Sequence, residues 1–142
     1  MGYDSSDYGH FILRVSLGVI LLAHGLLKVF GFSVPGTVEL FGSLGLPPVA
    51  AYATIFAEIT GGLAITLGIY TRLAAFLTVP VLAGAVWAHL GNGWVFSNAG
   101  GGWEFPALLV ALAVSIGLMG DGPHAIKKID LIDWLIPSSL KG

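Results

Sequence analysis

The sequence predicts an all-α polytopic membrane protein, a four-transmembrane-helix bundle with cytoplasmic N- and C-termini. Of its 142 residues, 56% are hydrophobic and only 10% charged, whereas a soluble domain carries roughly 25% charged residues. Mean hydropathy is +0.89. Turn residues and charges punctuate four apolar segments, and at about 20 residues per crossing four spans leave chain for short loops. Residues 1–142 read as one membrane domain in contact with the lipid bilayer.

The first segment, about residues 11–30, carries Arg14, His24 and Lys28. In the loop 31–49, Pro35-Gly36 precedes Thr37–Phe41, which reads as a short interfacial helix, and Gly45 with Pro47-Pro48 closes the loop. The second segment, about 49–70, contains Glu58. Thr71-Arg72 is almost the whole link to the third, about 73–90, which predicts a tight antiparallel hairpin. That segment ends at His89. A Gly-rich loop follows, with Trp94, Phe96 and Trp103 interleaved. The fourth segment, about 105–120, follows Glu104 and has Pro106 in its first turn. Beyond Gly122-Pro123, the tail 125–136 spaces Ile126, Ile129, Ile132 and Ile136 along one helical face, predicting an amphipathic segment on the membrane surface.

Composition also excludes partners and chemistries. A net charge of −2 with scattered basic residues gives no field for nucleic acid. The absence of Cys removes disulfides, thiol relays and iron–sulfur clusters, and no metal-ligand spacing occurs. Residues 1–10 lack the basic region of a signal peptide. Met1-Gly2 with Ser6 fits the loose myristoylation pattern, but a chain that spans the bilayer needs no lipid anchor.

Basic residues set the orientation. With the N-terminus inside, Arg72, Lys127, Lys128 and Lys141 are cytoplasmic, and Lys28 alone approaches the outer side. His24, Lys28, Glu58, His89 and Glu104 then fall in the outer half of the bundle. At about 1.5 Å per residue, Glu58 lies about 12–14 Å below the outer end of its helix and His24 about 9 Å below its own. Such groups are costly in lipid and should face inward and pair. His24 and Lys28, four residues apart, share a face. The economical pairing sets Lys28 or His24 against Glu58, and His89 near Glu104. Gly61 and Gly62 beside Glu58 allow close approach of a helix or a ligand.

Simpler roles stand beside these. His89 and Glu104 at an interface meet water, Lys28 and Arg14 can snorkel, and Lys28–Glu58 can be a structural pair. Arg72 suits a topology determinant, and the tryptophans an aromatic belt or a stacking surface for a flat ring. Haem held by two histidines is disfavoured, because His24 lies about 7 Å deeper than His89.

Arg14, Ala23-His24-Gly25, Lys28, Leu44-Gly45-Leu46-Pro47, Ala57-Glu58-Ile59, Gly61-Gly62-Leu63 and Gly68–Leu73 occur in an order and spacing that resembles the DoxX family. His89, Glu104, Gly122-Pro123 and Asp130 extend the likeness over about residues 11–131. The resemblance implies a four-helix protein of a bacterial or archaeal plasma (inner) membrane. Some relatives work in redox systems, including the small membrane subunit of a thiosulfate:quinone oxidoreductase. On that footing the expected function is a membrane redox subunit that binds a quinone or a small phenolic or sulfur substrate. Glu58 and His24 are the candidate catalytic groups, with Lys28, His89, Glu104, Gly61, Gly62 and Arg14 around the ligand. A partner redox subunit or a reduced substrate supplies the electrons, and a second copy of the chain or other membrane subunits are the expected protein partners. A proton-coupled transporter and a structural subunit are the competing classes.

Overall fold

The computed structural model describes residues 2–142, and its regular elements are all helices, with one isolated β-bridge. Helix α1 spans Ser5–Leu26 and continues through a π-helical turn at Leu27–Gly31. Then come α2 (Val34–Ser43), α3 (Pro48–Leu67), α4 (Thr71–His89, extended by a 3₁₀ turn at Leu90–Asn92) and α5 (Glu104–Met119).

Local chemistry explains the ends. Asp4 and Asp7 form a reciprocal capping box, each side chain accepting from the other's backbone N–H at 2.9–3.0 Å, so α1 starts ahead of the apolar run. Ser33 caps α2, its Oγ accepting from Gly36 N–H, and this helix extends beyond both ends of the expected Thr37–Phe41. Gly68 closes α3 at φ 70°, a conformation that costs glycine nothing. Only Gly68–Tyr70 separate α3 from α4, a short link as expected, but Thr71 and Arg72, read as that link, are the first two residues of α4.

Three helical stretches are long and apolar enough to cross a membrane: Ser5–Gly31, Pro48–Leu67 and Thr71–Asn92. Helix α5 is apolar but has 16 residues, about 24 Å, short of a full 30 Å core. Large apolar side chains face outward, among them Phe56 at 69% and Leu77 at 63% exposure, as a lipid-facing surface requires. The chain is a helical membrane protein.

Helix α1 packs chiefly on α3, and α4 on α5. Leu17, Leu21, Ile65, Ala75, Leu82, Leu109, Ala113 and Ile116 fill the core between them. The α1–α3 seam is built on glycines. A Cβ on Gly18 would lie 2.6 Å from Thr66 N, and one on Gly62 would lie 2.6 Å from Leu22 N. This is the small-residue packing by which membrane helices gain contact without a hydrophobic driving force.

Residues 125–136 do not form the helical face expected of them. His124 and Lys127 take left-handed backbones at φ 54° and 73°. Lys127 N–H donates to Gly68 O at 2.7 Å, and Tyr70 N–H donates to Lys127 O at 3.0 Å. These bridge bonds tie the tail to the α3–α4 hairpin and displace a helical ladder. Short 3₁₀ turns follow at Asp133–Leu135 and Ser138–Leu140.

Candidate functional site

Lys28 sits in the π-helical turn, a distortion frequent at functional sites. Thr37 of α2 donates its hydroxyl to Lys28 O at 2.9 Å, fastening α2 over this end of α1. One turn back, Gly25 lets α1 close on α3, since a Cβ there would stand 2.7 Å from Ile59 Cγ1 and 3.1 Å from Glu58 Cβ. The approach brings Lys28 Nζ to both carboxylate oxygens of Glu58, at 2.9 and 2.8 Å. The two side chains are only 17% and 9% exposed. The expected pairing of Glu58 is thus resolved in favour of Lys28.

His24 takes a different part. Its Nδ1 lies 2.8 Å from Ile20 O. A carbonyl only accepts, so Nδ1 carries the proton and Nε2 of the neutral ring is an acceptor. The ring is exposed and stacks near Phe105 of α5, centroids 6.3 Å apart and planes 30° apart. His24 therefore extends the polar site from Lys28, on the same face of α1, toward α5.

His89 and Glu104 do not pair. His89 Nδ1 donates to Ala85 O at 2.7 Å, and Glu104 Oε1 accepts from Phe96 N–H at 2.7 Å. The Gly-rich loop causes this by closing on itself: Trp103 N–H donates to Gly93 O and Glu104 N–H to Trp94 O, both at 3.1 Å. Gly102 has no room for a side chain, because a Cβ would run into the backbone carbonyls of Trp94 and Val95. The closed loop packs Trp94 edge-on against Trp103, centroids 4.4 Å apart. Trp94, Phe96, Glu104, Phe105, Ala107 and Leu108 line a cleft of about 470 Å³. That volume suits a small organic molecule.

Gly61 and Gly62 do not open a slot beside Glu58. Helix α1 occupies the space at Gly62, and Thr78 Cγ2 of α4 would stand 2.7 Å from a Cβ on Gly61. Arg14 is also elsewhere, about 21 Å along α1 from Lys28. It is wholly buried and donates to Ile65 O, Thr66 O and Pro123 O at 2.9–3.0 Å. It fastens the tail to the end of α3. Among the described residues no three His, Asp or Glu side chains cluster to hold a metal ion. Phe105, Leu108 and Thr37 were not singled out as site residues by sequence; nothing in their spacing distinguishes them from lipid-facing or loop residues.

These features define a small helical membrane protein with a buried cross-helix ion pair and an aromatic cleft, joined through the His24–Phe105 contact. The DoxX family model matches residues 9–91, and the chain belongs to that family. It is 34% identical over 116 residues, 82% of each chain, to the Bacillus subtilis (strain 168) protein named "Putative oxidoreductase CatD". It is 40% identical over 83 residues, 56% of this chain and 71% of the relative, to "Uncharacterized protein YdgD" of the same organism. No solved structure matches.

Proposed function

We propose that the chain is a membrane component of a redox system that takes a quinol, quinone or small phenol at the Lys28–Glu58 end. The observation that carries this reading is the ion pair itself: Lys28 Nζ on both Glu58 oxygens within an apolar helix pair. Ionisable residues inside membrane helices are costly and mark ligand or proton pathways. The likeness to an oxidoreductase-named protein supports the redox class.

The chemistry assigned to the residues follows from their atoms. The aromatic cleft holds a flat ring by stacking and apolar contact. Glu104 Oε2 and His24 Nε2 accept hydrogen bonds, which suits a hydroxyl-bearing quinol or phenol. Glu58, with Lys28 as its counter-ion, takes or returns the proton released as the ring is oxidised. Without a thiol in the chain, the two electrons of the oxidised ring pass to a partner redox subunit or to a second, oxidised substrate. The protein lies in a bacterial or archaeal plasma membrane, α5 completes a fourth crossing, and both termini are cytoplasmic. A cysteine at Ser97 should then react with an impermeant reagent in intact cells, and one at Ser139 only after permeabilisation.

The test is titration of purified protein with a quinol analogue. Wild type should bind. His24→Leu, which removes an acceptor and keeps much of the volume, should weaken binding roughly 5- to 150-fold. Equal affinity in the two, or none in wild type, overturns the reading.

A further inference from the structure

The aromatic cleft has a charge as well as a shape. Glu104 stands in its wall with Trp94, Phe96 and Phe105, and the remaining walls, Ala107 and Leu108, are apolar. Glu104 Oε1 accepts from Phe96 N–H at 2.7 Å. Among the described residues Oε2 has no hydrogen bond, and neither oxygen has an ion pair. The carboxylate thus brings a negative charge without a counter-ion to the cleft wall.

The other charges of this end do not offset it. No Lys or Arg occurs between Arg72 and Lys127. Residues 24–58 and 89–104, which include the end of α1, all of α2, the first half of α3 and the start of α5, carry one lysine and three glutamates. That lysine, Lys28, is taken by Glu58. Glu39, exposed on α2, adds charge of the same sign as Glu104. His24, stacked near Phe105, and His89 each give Nδ1–H to the carbonyl four residues back, a bond that the neutral ring makes. The remaining positive contributions are the partial charges of the first turn of α5 and of the Phe96 N–H. They hold the carboxylate in place without cancelling a full charge.

A carboxylate in a largely apolar wall attracts an ammonium group and repels an anion more strongly than it would in open water. The faces of aromatic rings add to the attraction for a cation. We infer that the cleft selects its aromatic ligand by charge, with Glu104 as the specificity-determining residue. Rings that bear an ammonium group are taken in preference to neutral ones, and rings that bear a carboxylate or sulfonate are turned away. The inference rests on the proposal that a ring occupies this cleft, and it narrows the substrate class from phenols in general to cationic and neutral ones.

Three phenols of similar size test it at neutral pH: tyramine, a cation; 4-ethylphenol, neutral; and 4-hydroxyphenylacetate, an anion. Each would be titrated by calorimetry against the full chain in a non-ionic detergent at low salt, with empty micelles as the blank. Tyramine should bind about tenfold more tightly than 4-ethylphenol, and 4-hydroxyphenylacetate about tenfold more weakly. Added salt should compress that order. Glu104→Gln, which still accepts from Phe96 N–H, should bring the three affinities together, tyramine losing most. Glu39→Gln, on α2 and outside the cleft, should leave the order as it is. Equal binding of all three by wild type would overturn the charge selection and leave the ring site standing, whereas binding of none would overturn both. An order that survives Glu104→Gln, or one that Glu39→Gln also removes, would overturn the role given to Glu104.

Discussion

The two tight helix pairs, α1–α3 and α4–α5, carry the same ingredients and use them differently. Each has a histidine near the end of its first helix that donates Nδ1–H to the carbonyl four residues back. Each has a glutamate on its second helix. In α1–α3 glycines draw the backbones together and Glu58 meets Lys28. In α4–α5 no lysine stands at the equivalent place, and the Gly-rich loop captures Glu104 through Phe96 N–H. One pair is closed around a charge; the other keeps its carboxylate at the wall of a cleft. A site that binds a ring and moves a proton needs both conditions, room on one side and a counter-charged carboxylate on the other.

The largest expected effect breaks the closed pair. In Gly62→Val the side chain meets the backbone of Leu22, which cannot yield, so α1 and α3 must separate. A loss of about 3 kcal/mol or more is expected, seen as a large fall in melting temperature. The counterpart in the other pair is Gly117→Ala. There a Cβ meets the Phe76 ring at 2.9 Å, and a side chain can move, so the change should stay within about 1–2 kcal/mol.

Smaller effects separate the carboxylates. Glu104→Gln can still accept from Phe96 N–H, so the loop should fold with a loss of about 1 kcal/mol or less, while affinity for a quinol analogue falls. Retained stability with unchanged affinity would remove Glu104 from the ligand site.

The smallest effect lies in the tail. The hydrogen bond from Lys141 holds the Asp133 carboxyl below its ordinary value. A lowered folded-state pKa contributes stability that is fully present above the ordinary carboxylate range near 3.8 and is lost as pH falls through the folded value. Proteolysis of residues 125–142 should therefore rise only in strong acid, and Asp133→Asn should remove that dependence.

Much of this was legible in sequence. Lys28 and Glu58 announced their pairing because a charge in an apolar helix requires a partner. Pro35-Gly36 announced α2. His89 and Glu104 misled, because the competing donor, Phe96 N–H, is a backbone group that every residue possesses and spacing does not reveal. Arg14 was placed with the ligand because its acceptors are carbonyls exposed by the end of α3 and by the tail, a juxtaposition that exists only after folding. The tail read as a helix from its isoleucine spacing, yet two left-handed residues and a bridge to Gly68 and Tyr70 prevail.

In the proposed site, Glu58 changes protonation when a ring is oxidised or reduced nearby. Redox-difference infrared spectroscopy of the protein reconstituted with a quinone measures this directly. Reduction should produce a carboxyl band that vanishes in Glu58→Gln and persists in Glu104→Gln. A difference spectrum without that band, or one unchanged in Glu58→Gln, would make Lys28–Glu58 a structural tie with no part in proton transfer.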